Sequence, residues 1–359
     1  MRAFRRFPIE DGSQVGEARR AAQTLAADLG HDEQCAGRVA LAVTELGTNL
    51  QRHVGPGREA ALLIGVEGGH GGRVDDPPAL QILSLDRGAG MDVERCLRDG
   101  YSSAGSAGTG LGAIQRMSDG FHVFSASGRG TVISARFEAR AGGGGSSTTT
   151  TAARRDLTAA FQVAGLTIAA PGEFVSGDAW TLRRAGSLWT LGMADGLGHG
   201  PDAAAAADRF CALLQDAPEA GLVSPASLLD RLHEPLRSTR GCAAAIVSLT
   251  EGETGLRFGG AGNIAGRLIS GVTDRSLMSQ HGTLGLQVRK LQDVAYDWPP
   301  HAVLVLHSDG IVSRWSLMEV PGLLQADVSL IAGWILRDHV RGRDDATVVV
   351  VRRADALAA

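Results

Sequence analysis

Leu188-Trp189-Thr190-Leu191-Gly192-Met193-Ala194-Asp195-Gly196-Leu197-Gly198-His199-Gly200 runs from an apolar stretch onto a carboxylate and a glycine-rich turn. Leu188–Met193 predicts a β-strand, and the alanine-rich residues Pro201–Gln215 that follow predict a helix. A carboxylate at a strand end is positioned by the rigid sheet yet can reach a shared cleft. Three other short motifs carry acids: Ser176-Gly177-Asp178-Ala179-Trp180, His307-Ser308-Asp309-Gly310-Ile311 and Gly342-Arg343-Asp344-Asp345-Ala346-Thr347. Three of the four motifs lie directly at an end of an apolar run. Carboxylates gathered in one cleft repel one another unless cations neutralise them. Hard oxygen ligands favour Mg²⁺ or Mn²⁺ over zinc. A single Asp-Gly pair also marks an ordinary turn; four such motifs in order point to a common site.

Around them, strand-like runs dominate the second half of the chain: Leu166–Ala170, Ala243–Leu249, Gly255–Phe258, Ala302–Leu306 and Ala346–Val351. Helical patterns occur near Ser224–Arg237 and Ala326–Val340. Many strands with a few long helices predict two sheets packed face to face and covered by helices. Upstream, Ala141-Gly-Gly-Gly-Gly-Ser-Ser-Thr-Thr-Thr-Thr-Ala152 has no apolar period and reads as a flexible linker that lets its flanks touch or separate. The expected division is therefore 1–138, a linker at 139–152, and 153–354. Before the linker, Gly16–Leu29 and Cys35–His53 predict helices, and Val39, Val43, Leu46 and Leu50 form a core stripe on the second. Strands are expected at Ala60–Val66, Ala79–Leu85, His122–Ser125 and Thr131–Phe137. This pattern suggests an α/β sandwich with helices on one sheet face.

The composition narrows the classes. With 359 residues the chain is long enough for two domains, and a 44% hydrophobic, 21% charged composition is that of a globular protein. A net charge of −4 gives no support for nucleic-acid binding. No apolar run approaches the roughly 20 residues that span a bilayer, and no apolar core follows the basic start Met1–Arg6. Cys35, Cys96, Cys211 and Cys242 form no C-x-x-C pair, and Cys242 reads as a small core residue. A reducing cytoplasm fits best. The oligomeric state stays open.

Four pieces of the first half carry chemistry. Glu45 and Asn49, four apart in Thr44-Glu45-Leu46-Gly47-Thr48-Asn49, share a helix face. Such a face can hold Mg²⁺ through the amide oxygen while the acid orients or deprotonates a nucleophile. Leu85-Asp86-Arg87-Gly88-Ala89-Gly90-Met91 follows a strand, and an Asp there can accept a hydrogen bond from an exocyclic amine such as adenine's. Gly108-Thr109-Gly110-Leu111-Gly112 runs into a helix, where free N–H groups can meet phosphates. Gly128-Arg129-Gly130-Thr131 precedes the last strand.

In that order these pieces resemble the GHKL ATPase superfamily, and Asp99-Gly100-Tyr101-Ser102-Ser103 before the glycine loop resembles RsbT-type switch kinases. The likeness covers about residues 1–138. It implies that Asn49 ligates the Mg²⁺ of ATP, Glu45 acts as base and Asp86 binds adenine. Gly88 and Gly90 would line the base pocket, Gly108, Gly110 and Gly112 would hold phosphates, and Thr131 would sit near adenine. Arg87 departs from the family's usual Asn and is expected to place a cation near the nucleotide.

The four acidic motifs, with Ala261-Gly262-Asn263 between them, resemble PPM-type protein phosphatases of the SpoIIE/RsbX branch over about residues 160–352. The likeness implies two Mn²⁺ or Mg²⁺ ions bridged by Asp195, with the Gly196 carbonyl on one. Asp309 and Asp344 would hold the other, Asp178 would contribute directly or through water, and Asp345 would be a weaker, outer candidate. In this family hydroxide from a bridging water attacks phosphoserine or phosphothreonine in line, with no phosphoenzyme intermediate. His199 stands four residues past Asp195, so the general-acid role of some PPM histidines does not transfer; it reads as a solvent-facing loop residue. The fold class implied is α/β (α+β): a GHKL-type α/β sandwich followed by a PPM-type αββα sandwich. The function implied is ATP binding or serine phosphorylation in the first half and phosphoprotein hydrolysis in the second. Both would act on STAS-domain anti-anti-sigma or stressosome-like proteins of a partner-switching pathway. The alternative is a non-catalytic, ATP-dependent binding module fused to an active phosphatase. A histidine-kinase reading lacks a dimerisation helix pair with a phosphoacceptor histidine before the nucleotide motifs.

Overall fold

The computed structural model describes residues 3–55, 57–67, 79–97, 110–139, 160–219 and 222–354. The first sheet is built from β1 (Arg5–Pro8), β2 (Ala60–Val66), β3 (Ala79–Asp86), β4 (Gly120–Ala126) and β5 (Gly130–Glu138) in the order β1-β2-β3-β5-β4, all antiparallel. Two long helices, α1 (Gly12–Asp28) and α2 (Glu33–His53), cover one face. Each starts on an aspartate that caps a backbone N–H: Asp11 accepts from Ser13 and Asp32 from Cys35. Short helices α3 (Val93–Leu97) and α4 (Leu111–Met117) lie on the connections. Val39, Val43, Leu46 and Leu50 are buried against Leu62, Ile64, Leu80 and Ile82, so the expected stripe is the core contact.

The remainder is a double sheet. One layer holds β7 (Asp178–Ala185), β8 (Leu188–Gly196), β9 (Cys242–Thr250), β10 (Gly255–Ala261) and β15 (Val294–Asp297), in the order β15-β10-β9-β8-β7. The other holds β6 (Phe161–Ile168), β11 (Ala265–Ile269), β12 (Asp274–Leu277), β16 (Val303–His307) and β17 (Ala346–Arg353), in the order β12-β11-β16-β17-β6. The two-residue strands β13 (Gly282–Thr283) and β14 (Gln287–Val288) pair in a hairpin of their own. Trp180, Trp189, Phe258, Trp298 and the inward valines of β17 fill the space between the layers, with Phe161 stacked on Trp298 at 5.7 Å. Helices α5 (Pro201–Gln215) and α6 (Pro225–His233) cover the outer face of the first layer. Cys242 is fully buried among them.

The last helix, α7 (Val328–His339), covers two faces at once. Every residue from Val328 to Arg337 is buried. On one side it lies on the outer face of β6 and β17; on the other it meets Leu63, Leu83, Leu85 and Val132 of the first sheet. A helix apolar all round is a helix buried all round. The first sheet therefore has helices on both faces rather than one, the second supplied by residues some 250 positions downstream. Burial on both faces accounts for the unbroken apolar run of β2 and the unbroken burial of β3 from Ala79 to Leu85, since a half-exposed strand alternates. Phe4 adds a backbone bond across the same seam, its N–H donating to the Thr167 carbonyl at 2.7 Å. Phe124 meets Trp334 edge-on at 5.3 Å. Among the described residues no helix is long and apolar enough to cross a membrane.

Gly333 is the point of closest approach. A Cβ there would stand 3.0 Å from Leu83, 3.1 Å from Val132 and 3.3 Å from Leu85. Gly333→Leu should overpack this seam and lower stability by about 1–3 kcal/mol, read as a lower urea midpoint. An unchanged midpoint would show the seam to be looser than these distances.

Candidate active sites

The register of β7 against β8 sets Asp178 directly opposite Asp195. Side chains so paired share one face of the sheet, and like charges in that position repel. Asp309 leaves the end of β16, and Asp344 and Asp345 precede β17, the strand beside it. All five acids therefore gather at one end of the double sheet. Burial pushes Asp178 up to about 7, helped by Asp345 and Asp309 and opposed by a hydrogen bond from Ser308. Asp195 rises to about 9, first through burial and then through Asp178, Asp309, Asp344 and Asp345.

The supporting contacts differ from acid to acid. Ser308 Oγ donates to Asp178 Oδ2 at 2.6 Å and accepts the Thr347 N–H at 3.0 Å, so one hydroxyl ties the two sheets together beside the acids. Asp178 Oδ1 is buried with no hydrogen-bond partner. Asn263 Nδ2 donates to Asp309 Oδ2 at 2.8 Å from a turn whose Gly262 holds φ +98°. Asp345 is spoken for: its two oxygens accept the N–H groups of Ala170 and Gly177, each at 2.8 Å. That clamp joins the β6 and β7 ends, and it assigns Asp345 to holding the cleft together. Gly196 donates its N–H to Gly177 O, and a Cβ on it would lie 2.1 Å from the Ala203 carbonyl. His307 is buried and held near 4 mainly by that burial, with Nδ1 donating to the Ser308 carbonyl; it is a neutral packing residue. His199 is an exposed loop residue, as expected from its spacing to Asp195, and its Nδ1 lies 2.8 Å from Glu173 Oε1.

Among the described residues no three Asp, Glu, His or Cys side chains stand close enough to enclose a cation. The donor chemistry nonetheless fits hard divalent ions. An orphaned buried carboxylate oxygen on Asp178, and two acids, Asp178 and Asp195, raised first by burial and then by neighbouring carboxylates, are what cations relieve. Ser308, Asn263 and Glu173 are the residues that motif reading left without a role. Ser308 was marked only by lying inside Ser-Asp-Gly, and nothing in the order of the residues pairs Glu173 with His199.

The second cluster sits on the first sheet. Asp86 ends β3, and its carboxylate accepts the Gly88 N–H at 2.7 Å and bonds from Thr131. Burial holds it above the usual carboxylate range against these bonds. Thr131 in turn lies 3.1 Å from Ser125 Oγ, which accepts the Met91 N–H. Gly90, at φ +80°, passes so close that a Cβ would stand 2.5 Å from Ala126 O; at Gly130 it would stand 2.0 Å from Asp86 O. The end of α2 comes to the same turn, the His53 carbonyl being 3.8 Å from a Cβ built on Gly88. Glu45 and Asn49 are both half-buried on α2. Gly110 and Gly112 open α4, while Gly108 and residues 99–103 lie outside the described residues, as does the linker from 140 to 152. A half-buried aspartate beside a threonine and two obligatory glycines fits a purine edge that offers an amine. Arg87 does not face this turn as expected. Its Nη2 donates to the Arg337 carbonyl at 2.7 Å, its Nε to Asp338 at 3.1 Å, and Glu59 stands 3.5 Å away. The cation the family pattern lacks belongs to the seam with α7.

Comparison with known proteins agrees with both halves. Residues 8–137 match the histidine kinase-like ATPase domain family, and residues 186–354 match the stage II sporulation protein E (SpoIIE) family. The chain thus joins an ATPase-type domain to a SpoIIE-type phosphatase domain. Over 121 residues it is 32% identical to the serine/threonine-protein kinase RsbT of Bacillus subtilis (strain 168), an alignment spanning 33% of this chain and 84% of that relative. Through that segment the chain belongs to the RsbT family, with a serine/threonine phosphatase domain fused behind it. Similar solved structures include one of the bacterial stressosome, at 27% identity and TM-score 0.49 over 54% of this chain and 99% of that one. RsbX in complex with magnesium is similar at 18% identity and TM-score 0.44, over 54% of this chain and 95% of the other.

The raised acids set a pH dependence. Their folded values lie above the unfolded value of 3.8, so the folded metal-free protein binds more protons and loses stability as pH rises. The loss begins above the unfolded carboxylate range and is complete above about 9, the value held by Asp195. In chelator, the melting temperature should fall between pH 5 and 8.5, and Asp195→Asn should remove much of the fall. A flat profile, or the same fall in the variant, would contradict the mutual repulsion described.

Proposed function

We propose that the chain sets the phosphorylation state of a STAS-domain protein from both sides, with an ATP-dependent serine kinase in its first 138 residues and a metal-dependent serine/threonine phosphatase in residues 153–354. The observation that carries the phosphatase half is the pairing of Asp178 with Asp195 across β7 and β8, with Asp309 and Asp344 at the same end of the sandwich. Asp195, the Gly196 carbonyl, Asp309, Asp344 and Asp178 would hold two Mn²⁺ or Mg²⁺ ions. Such ions supply Lewis acidity toward phosphoryl oxygens and lower the pKa of water. The chain's own part is to fix the acids: Ser308 orients Asp178, Asn263 orients Asp309, and Asp345 clamps the loops around them.

In the kinase half, Asp86 and Thr131 read the adenine, Gly88 and Gly90 let the base approach, and Gly108, Gly110 and Gly112 carry the phosphates. Asn49 holds the ATP magnesium, and Glu45 accepts the proton of the attacking serine hydroxyl. STAS partners are supported by the RsbT kinship and by the opposed activities, which suit a partner-switching pathway. A cytoplasmic location is in keeping with that role.

With Mn²⁺ the purified chain should hydrolyse a phosphoserine STAS substrate, and Asp195→Asn or Asp309→Asn should reduce the rate by at least about a hundredfold, the scale of losing a metal-centred activation. Full activity in both variants would overturn the metal assignment. Glu45→Ala should abolish transfer from ATP to a STAS protein while leaving the phosphatase rate unchanged. Undiminished transfer would favour a first half that binds ATP without catalysis.

A further inference from the structure

The turn assigned to adenine and the loops assigned to metal are joined by one short stretch of chain, the C-terminal end of α7 and the residues that follow it. Arg337 donates from Nη1 to the backbone carbonyl of Asp86 at 2.6 Å. Its guanidinium is buried, lies 3.7 Å over the Trp334 ring, and is doubly bonded to Asp338 at 2.8 and 2.9 Å. Arg87 answers from the other side, donating to the Arg337 carbonyl and to Asp338. Two arginines and one aspartate thus form a closed clamp on Asp86-Arg87, the two residues immediately before Gly88. A carbonyl so held cannot shift without moving Arg337, because burial leaves that guanidinium no water to turn to.

Beyond the clamp the chain runs directly into the phosphatase site. The His339 carbonyl accepts the Val312 N–H at 2.8 Å, Val340 bridges to Ile311, and the Arg341 N–H donates to the Gly310 carbonyl at 2.8 Å. Gly310 adjoins Asp309 and approaches Asp345 so closely that a Cβ would lie 1.9 Å from that residue's carbonyl. Three residues past Arg341 comes Asp344. Every step from Asp86 to the two acids is therefore a hydrogen bond or a peptide bond within residues 308–312 and 337–345.

We propose that nucleotide binding at Asp86 and the conformation of the Asp309 and Asp344 loops are coupled through the Arg87–Arg337–Asp338 clamp. The first domain then regulates the second from within the same chain. This rests on the reading of Asp86 as the nucleotide site. Adenine bound to Asp86 restrains the end of β3, and the restraint passes through Arg337 to the 337–345 segment and the loop it pins. By linkage the effect is reciprocal, so metal on the loops changes nucleotide affinity by the same factor.

Amide hydrogen exchange of the full-length chain, with and without saturating mant-ADP and with the same Mg²⁺ concentration in both samples, tests the coupling without relying on turnover. Fluorescence titration gives the nucleotide affinity in parallel. In the wild type, exchange in residues 308–312 and 337–345 should slow at least threefold on nucleotide binding. In Arg87→Ala, whose side chain lies at the seam and not at the base, mant-ADP should still bind while the slowing at 308–312 is lost. Arg337→Lys, which keeps the buried charge but not the fork, should lose it as well, guarding against a fold defect from one variant. Bound nucleotide with unchanged exchange in the wild type would overturn the coupling alone, as would full slowing in both variants. Absence of mant-ADP binding to the wild type would overturn the nucleotide-site reading and the coupling with it.

Discussion

The molecule depends on the burial of α7 between two sheets that the chain order keeps far apart. Val328 to Arg337 has no solvent face, so neither the first sheet nor β6 and β17 can withdraw from it without exposing leucine, isoleucine and tryptophan to water. The same burial forces polarity to be dealt with locally. Arg337 is the one charged residue inside the buried stretch, and it is satisfied by Asp338, by the Trp334 ring and by a carbonyl from the opposite sheet. Removing one partner of such a set leaves a buried charge uncompensated, which is why it holds a single geometry.

From this follows the relation between the two sites. A linker of glycine, serine and threonine would by itself allow two independent bodies. The seam instead ties β3 to α7, and α7 continues into the loops that carry Asp309 and Asp344. Kinase and phosphatase activities in one chain would cancel if both ran unregulated. Under the proposed assignments, the connection between the Asp86 turn and the Asp309 and Asp344 loops would give the chain a means of running one at a time.

Much of this was legible in the residues. The acidic motifs announced their positions because three of the four sit at an end of an apolar run, and the register of β7 and β8 then paired two of the acids. The apolar periods of α2 and the α5 segment placed those helices closely. β7 went unread because Asp178-Ala-Trp-Thr-Leu-Arg-Arg-Ala carries too few consecutive apolar residues, Arg183 bonding to carbonyls at the end of α5 and Arg184 pairing with Glu251. The second covered face of the first sheet was implicit in Ala60–Val66, whose unbroken apolar run fits no half-exposed strand. What covers it could not be read, because no local period in Val328–Arg337 says which of two sheets a helix will meet. Arg87 shows the same limit. Its departure from the family pattern was visible, but these partners lie 250 residues away, so only the fold could show that it turns to the end of α7.

The most direct test uses the buried cysteines already present in both halves: Cys35 in the α2 core, Cys211 and Cys242 under the outer helices of the double sheet. Site-resolved thiol labelling of the wild-type chain across a urea series reports when each core opens, and coincident opening is the mark of one cooperative unit. If α7 binds the two halves as described, Cys35, Cys211 and Cys242 become reactive together at one urea midpoint. Labelling of Cys35 in a separate, earlier transition, with Cys211 and Cys242 still protected, would contradict the account.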